Sequence, residues 1–216
     1  MRCWLSARTH LATVGPDLVV LDVRANAYFC LPNAAAAIHI QGDAITLSDP
    51  GLLASFQDEG FVAKRAAPRR PDPPPPRPIR DLGQAVAEAV RPGDVVAMLG
   101  AAWTMIGHYH LRSFDHLLDH AAWGRKATLQ SEPQSLELAR IVAVFDRLLP
   151  WVPFQGVCLY RSFMLLNVLR ARGFGARWVF GVHTWPFQAH CWLQVGDTVL
   201  DDTADRVAAF EPILAI

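Results

Sequence analysis

Cysteine is scarce in this chain: Cys3, Cys30, Cys158 and Cys191 are the only four among 216 residues. That is too sparse for a disulfide framework, so a hydrophobic core must hold the fold together. An excess of one charge is also missing. Twenty basic residues balance twenty acidic ones, which argues against a protein that coats nucleic acid. The longest apolar stretch, 95–106, is interrupted by glycine and falls short of a membrane span. The start, MRCWLSARTH, lacks the apolar segment of a secretory signal. No phosphate-cradling glycine loop and no internal repeat is evident, so no nucleotide site is expected. What is present is 52% apolar residues in a length that suits one large or two small domains. These features describe a globular, cytoplasmic protein with neither membrane nor nucleic acid as its partner.

The strongest punctuation is 66–80, AAPRRPDPPPPRPIR. Proline fixes φ and lacks an amide donor, so so dense a run cannot join a helix or an inner strand. It reads as an extended, semi-rigid spacer, locally basic because Arg65, Arg69, Arg70, Arg77 and Arg80 outnumber Asp72. The spacer divides the chain into a front unit, 1–65, and a larger unit, 81–216.

In the front unit, 18–23 and 27–31 are β-rich runs joined by a short turn in which Asn26 tolerates a left-handed conformation, so they predict a hairpin. Asn33 then caps an alanine-rich helix beginning near Ala34. A second helix is expected from Ser48 or Asp49, with Pro50 in its first turn, Gly60 past its end and Leu52, Leu53 and Phe56 on its apolar face. Strands followed by helices in so short a piece suggest a small winged-helix-like module with an open sheet edge.

Beyond the spacer, 85–90, 95–112 and 114–122 carry apolar residues at helical spacing. A further helix is expected behind Ser131, with Pro133 in its first turn, running to Leu149. The segment 158–172 is helical and closed by Gly173. Three strands follow, 176–182, 189–195 and 198–201, the last two joined around Gly196 and Asp197.

Three features of this last region converge. Cys158 opens a helix, where free amides and the helix dipole favour an anion and depress a thiol pKa. His190, on a strand, can take the thiol proton and later protonate a leaving amine. Asp201 and Asp202 follow one hairpin later, where a carboxylate can orient the imidazole. This is the papain-like and transglutaminase-like order of nucleophile, base and acid. A two-residue loop at Gly196-Asp197 would pair Trp192 with Asp201 and put Asp201 on the His190 face; a three-residue loop would favour Asp202. Cys191, next to His190, faces the other side of its strand and is a poor nucleophile candidate.

The stretch 158–202 resembles the signature region of the lasso-peptide maturation protease family, the B protein. The matching blocks are Cys158, Leu159, Arg161 and Ser162; Gly181 and Val182; Pro186 and Phe187; and Ala189, His190 and Trp192. The resemblance implies a transglutaminase-like fold and removal of a leader peptide by a cysteine protease. It implies Cys158 as nucleophile, His190 as base and Asp202 as orienting acid. Asp201 stands where many relatives carry asparagine, so the two adjacent carboxylates leave that assignment open. The front hairpin, 19–37, is similar to the peptide-recognition modules of such proteases, which resemble the small peptide chaperone of pyrroloquinoline quinone biosynthesis. The implied action is strand addition: a leader pairs with the edge formed by Ala27, Tyr28, Phe29, Cys30 and Leu31 and packs against Leu52, Leu53 and Phe56. The implied partners are the leader region of a lasso precursor and an asparagine-synthetase-like cyclase. The fold class expected is therefore α+β, with a winged-helix-like recognition module followed by helices packed on an antiparallel sheet. An acyl-transfer enzyme and a non-catalytic peptide carrier are the alternatives on the same scaffold.

Other candidates are weaker. Gln155 could donate to an oxyanion, as a side-chain amide does in papain-like sites. Arg161 is read as bracing the site through a carboxylate. His116 and His120, beside Asp115 and Asp119, lie four apart on a helix, but HLLDH lacks the glutamate of the zinc-protease pattern. They read as a solvated helix face, and neither metal nor cofactor is expected.

Overall fold

A computed structural model describes residues 2–42, 44–65, 75–82, 89–111, 113–125, 135–152 and 158–216. Strands β1 (Arg2–Leu5) and β2 (Thr9–Val14) precede the expected hairpin, which forms as β3 (Asp17–Asp22) and β4 (Ala27–Leu31). Asn26 takes a φ of 51° in its turn. Strands β2, β3 and β4 make an antiparallel sheet with β3 in the middle and β4 at one edge.

The alanine-rich helix is not formed. A short 3-10 turn, Ala35–Ala37, leads into strand β5 (Ile38–Gln41), which pairs with β6 (Ala44–Leu47). The cap position of that turn is Ala34, which makes no side-chain cap bond; Asn33 sits at φ 58° and its backbone N–H donates to Asp17 Oδ1. The apolar alternation of Ile38 and Ile40 outweighs the alanine run because β6 offers a partner strand. The second helix forms as expected: α1 (Pro50–Asp58), with the Asp49 side chain accepting from the Gly51 N–H at 2.8 Å. After β7 (Val62–Ala63) a four-stranded sheet is complete in the order β5-β6-β1-β7. The front unit thus has one helix where the sequence suggested two, and far more strand.

Leu18, Val19, Val20 and Leu21 on β3 are all fully buried, although a strand faces two ways. Leu18 and Val20 join Ile45, Phe56 and Phe61 in the front unit's own core. Val19 and Leu21 point the other way, into a core shared with Phe163, Trp178 and Phe180 of the larger unit. Each such side chain contributes roughly 1.5–3 kcal/mol. An unbroken apolar run, rather than an alternating one, is what a sheet covered on both faces requires. The hydrophobic core therefore passes from one unit into the other. Arg8 adds ion pairs across the same boundary, to Asp115 at 2.7 Å and Asp119 at 2.8 Å.

The end of the proline-rich spacer is a strand, β8 (Arg80–Asp81), and helices α2 (Pro92–Leu111), α3 (Phe114–Arg125) and α4 (Leu136–Leu148) follow. The helix read over 85–90 lies largely outside the described residues, as do Ser131 and Pro133. The α4 cap is instead Ser135, whose hydroxyl accepts from the Leu138 N–H. Helix α5 (Cys158–Ala171) is followed by β9 (Arg177–His183), β10 (Gln188–Val195), β11 (Thr198–Val199), the short α6 (Ala204–Val207) and β12 (Glu211–Ala215). Their sheet has the order β12-β9-β10-β11-β8, antiparallel except for the β11–β8 pair. Strand β8 occupies an edge, the place where neighbouring prolines are tolerated. It is clamped there by Arg80, which donates to both Asp197 oxygens at 2.6 and 2.8 Å. The architecture is α+β, and α5 runs between α2 and β10 at its centre, with Phe163, Leu165 and Leu169 fully buried.

Candidate active site

Cys158 is the first residue of α5, at the end of the helix whose free amides and dipole favour an anion. Ser162 lies one turn on and shares its face, which looks toward β10. His190 is on β10, directly across the ladder from Gly181 of β9. A Cβ at Gly181 would come within 2.9 Å of both Phe210 and the Trp192 ring. Glycine there lets those rings close beneath the imidazole, with His190–Trp192 centroids 6.1 Å apart and His190–Phe210 centroids 5.3 Å apart.

The carboxylate at the imidazole is that of Asp202, with Oδ2 2.5 Å from His190 Nε2. Asp202 Oδ1 accepts from the Thr203 N–H at 2.8 Å, which holds the side chain in place. With Nε2 engaged, Nδ1 is the nitrogen left for the thiol. The hairpin has the two-residue loop, since Val195 pairs with Thr198, and the sequence argument would then favour Asp201. That argument fails because β11 ends at Val199, so strand parity does not extend to the aspartates. Asp201 turns inward instead: it accepts from the Leu193 N–H at 2.8 Å and the Ser162 hydroxyl at 2.7 Å. It thereby ties α5 to β10 underneath the thiol and imidazole. Burial pushes the Asp201 carboxyl up to about 6, against the pull of those two donors.

The Cys158 thiol is drawn down to about 4. The largest cause is a hydrogen bond from the Cys191 thiol; burial opposes it, and His190 and the Cys191 N–H add further donors. Burial alone would lower His190, but its contacts with Cys158 and Asp202 carry it above its ordinary value. Both shifts favour the thiolate–imidazolium form of the pair over the neutral one. Cys191 itself is buried and held well above the usual thiol range, so it stays protonated and donates. Alternation along β10 does separate it from His190, yet the side it faces is the one from which α5 presents Cys158. Sequence reasoning missed this donor role.

These groups open onto a cleft of about 510 Å³, lined among others by Cys158, His190, Asp202, Tyr160 and Val152. A thiol shifted toward its anion, an imidazole and a half-buried carboxylate beside such a cleft can carry out acyl transfer at a carbonyl carbon. Arg161 pairs with Asp146 of α4 at 3.1 Å. Gln155 lies outside the described residues. His120 Nε2 is 3.1 Å from Asn167 Oδ1. The neighbouring Asp115 and Asp119 are engaged by Arg8.

Of the expected leader-contact residues, Ala27, Tyr28, Phe29, Cys30 and Leu31 form the edge strand β4. Leu52 and Leu53 pack on the front core, and Phe56 is buried within it, edge-on to Phe61. Phe61 also meets Phe29, with centroids 5.3 Å apart, and so bridges β4 to α1.

A family model described as transglutaminase-like superfamily matches residues 101–215, more than half of the chain and the part that holds Cys158, His190 and both aspartates. The chain is also 41% identical over 49 residues to the Microcin J25-processing protein McjB of Escherichia coli, a match covering 23% of this chain and 24% of that protein. The chain thus spans about a quarter of that relative's length. No solved structure matches it. A thiol at a helix start, facing a strand imidazole held by a carboxylate, lies wholly inside the matched region, and the chain belongs to the transglutaminase-like superfamily.

Proposed function

We propose that this chain is a cysteine peptidase that cuts a lasso precursor peptide at the junction of leader and core. The observation that carries the reading is the 2.5 Å contact of His190 Nε2 with Asp202 Oδ2, next to a thiol depressed to about 4. The matched relative, named for processing microcin J25, supports a precursor peptide as the substrate.

In this reading the Cys158 thiolate attacks the scissile carbonyl carbon, and the C–N bond breaks as His190 gives its proton to the departing core amine. The leader remains as a thioester on Cys158. His190, now neutral, takes a proton from water; the hydroxide attacks the thioester, the C–S bond breaks and the leader leaves as a carboxylate. Asp202 keeps the imidazole oriented and stabilises its charged form throughout. The freed core amine is the nucleophile that an asparagine-synthetase-like cyclase would consume.

The unit at 1–65 acts as the recognition module. A leader adds as a strand along β4, with Leu52 and Leu53 offering apolar contacts and Phe56 supporting them from beneath. Holding the leader there raises its effective concentration at the thiol toward the millimolar range. The test is the intact mass of a candidate precursor after incubation with the protein. Two fragments whose masses sum to precursor plus one water support the reading, and Cys158→Ala must abolish them while leader binding persists. Cleavage that survives Cys158→Ala, or products without the added water, would overturn it.

A further inference from the structure

The two units meet at the turn that leads into the strand of His190. The turn between β9 and β10 leans on the front unit: Trp185 Nε1 donates to Asp17 Oδ2 at 2.7 Å, and Phe187 lies 5.9 Å from the Tyr28 ring. Phe187 is three residues ahead of His190 on the same segment. Tyr28 belongs to β4. Its cross-strand partner is Leu21, so it shares the sheet face that looks into the larger unit, while Phe29 shares the face toward Phe61. Tyr28 and Cys158 pack against the same core. Burial and the nearby Cys191 and Cys158 sulfurs hold the Tyr28 phenol above its ordinary pKa, which agrees with a ring set close to the thiol.

A peptide strand laid along β4 alternates its side chains between these two faces. Those on the Tyr28 side face the catalytic half. As the peptide leaves β4 toward Cys158 it meets Tyr28 and Phe187 first; Phe187 is left 44% exposed, two residues before Ala189, which lines the cleft. An exposed ring backed by a half-buried one, two residues from the cleft-lining Ala189, is a place for an apolar side chain.

We propose that Tyr28 and Phe187 form an aromatic subsite that takes an apolar side chain from the leader side of the scissile bond, so that the recognition strand and the catalytic cleft make one continuous peptide track. This rests on the peptidase reading, and it assigns specificity near the cut to a residue of the front unit.

The test reads binding on a chain that cannot cut. Full-length protein carrying Cys158→Ala is titrated, by fluorescence anisotropy, with labelled peptides spanning the leader–core junction. The peptides differ only by leucine or asparagine at each of the last few leader positions. At one position leucine should bind about tenfold tighter, the scale expected for burying one aliphatic side chain. Phe187→Ala and Tyr28→Ala should each bring that ratio to within about twofold, and Tyr28→Phe should keep it. Should Tyr28→Ala not fold, Phe187→Ala, a change at an exposed ring, carries the test. No leucine preference at any position, or a preference unchanged in the alanine variants, would overturn the subsite. Cleavage by the unaltered protein is scored separately, so failure of the subsite and failure of the peptidase reading are distinguishable.

Discussion

Gly181 stands directly opposite His190 on the neighbouring strand, and the space a methyl group would occupy there is taken by Trp192 and Phe210. The glycine acts on the imidazole through those rings. Gly181→Ala should displace them and tilt His190 away from Cys158 and Asp202. A misplacement of about 1 Å costs on the order of 100-fold in rate. Steady-state kinetics should therefore show kcat falling by that order, with KM little changed. A fall in KM-dependent binding alone would argue against this route.

The two aspartates separate by their contacts, Asp202 with His190 and Asp201 with Leu193 and Ser162. Asp202→Asn should lower kcat by roughly a thousandfold or more, as expected when the group that orients a catalytic histidine is neutralised. Asp201→Asn should leave kcat within a few-fold but lower the melting temperature, because asparagine cannot accept from both Leu193 and Ser162. The loss of one such buried bond is about 1–3 kcal/mol. Kinetics and thermal melts on the two variants, measured side by side, check the assignment.

Cys158 should be alkylated rapidly far below the ordinary thiol range. Its pKa of about 4 means the thiolate persists as pH falls and is lost only as pH passes down through that value. His190 is shifted upward, so the thiolate–imidazolium pair is maintained from above about pH 4 to beyond the usual histidine titration. The rate of iodoacetamide reaction against pH should be flat across that window. Cys191→Ala removes the largest lowering contact and should raise the alkylation midpoint by about one unit or more.

Leu21 is fully buried in the core that both units share. Leu21→Ala should cost about 2–5 kcal/mol. Because the core is common, the loss should appear in a single unfolding transition, read equally by fluorescence and by circular dichroism. A variant in which only the front unit melts early would show that the two cores unfold independently.

Much of the site was legible because it lies in local pattern. A cysteine before an apolar helix, an alternating strand with histidine and a glycine-centred hairpin are all short-range signals. They led to Cys158, His190 and the aspartate pair. The choice between aspartates was not legible, since it turns on β11 stopping after two residues, which depends on packing beyond the hairpin. Cys191 was read correctly as a poor nucleophile, but its contact with Cys158 was not legible: strand parity gives the side a residue faces, not what another element brings to that side. In the front unit the hairpin and α1 were readable, whereas 34–41 was not. Alanine propensity there is overridden by the long-range pairing of β5 with β6. Short strands such as β1, β7 and β8 leave almost no periodic trace.

The sheet of β2, β3 and β4 is apolar on both sides, and this moves the burden of alignment elsewhere. Where one side meets water, a one-residue slip is penalised by exposing greasy side chains. Here a slipped β3 would still present valine and leucine in both directions. Its ends must then do the indexing. The β2–β3 connection has two residues and turns at Gly15, with φ 58°, a value that side-chain-bearing residues rarely adopt. At the other end the Asp22 carboxylate collects the N–H groups of Arg24 and Ala25. Two small corners thus set which side chains reach the core of one half and which reach the other, and Tyr28 arrives against Phe187 only because they count correctly.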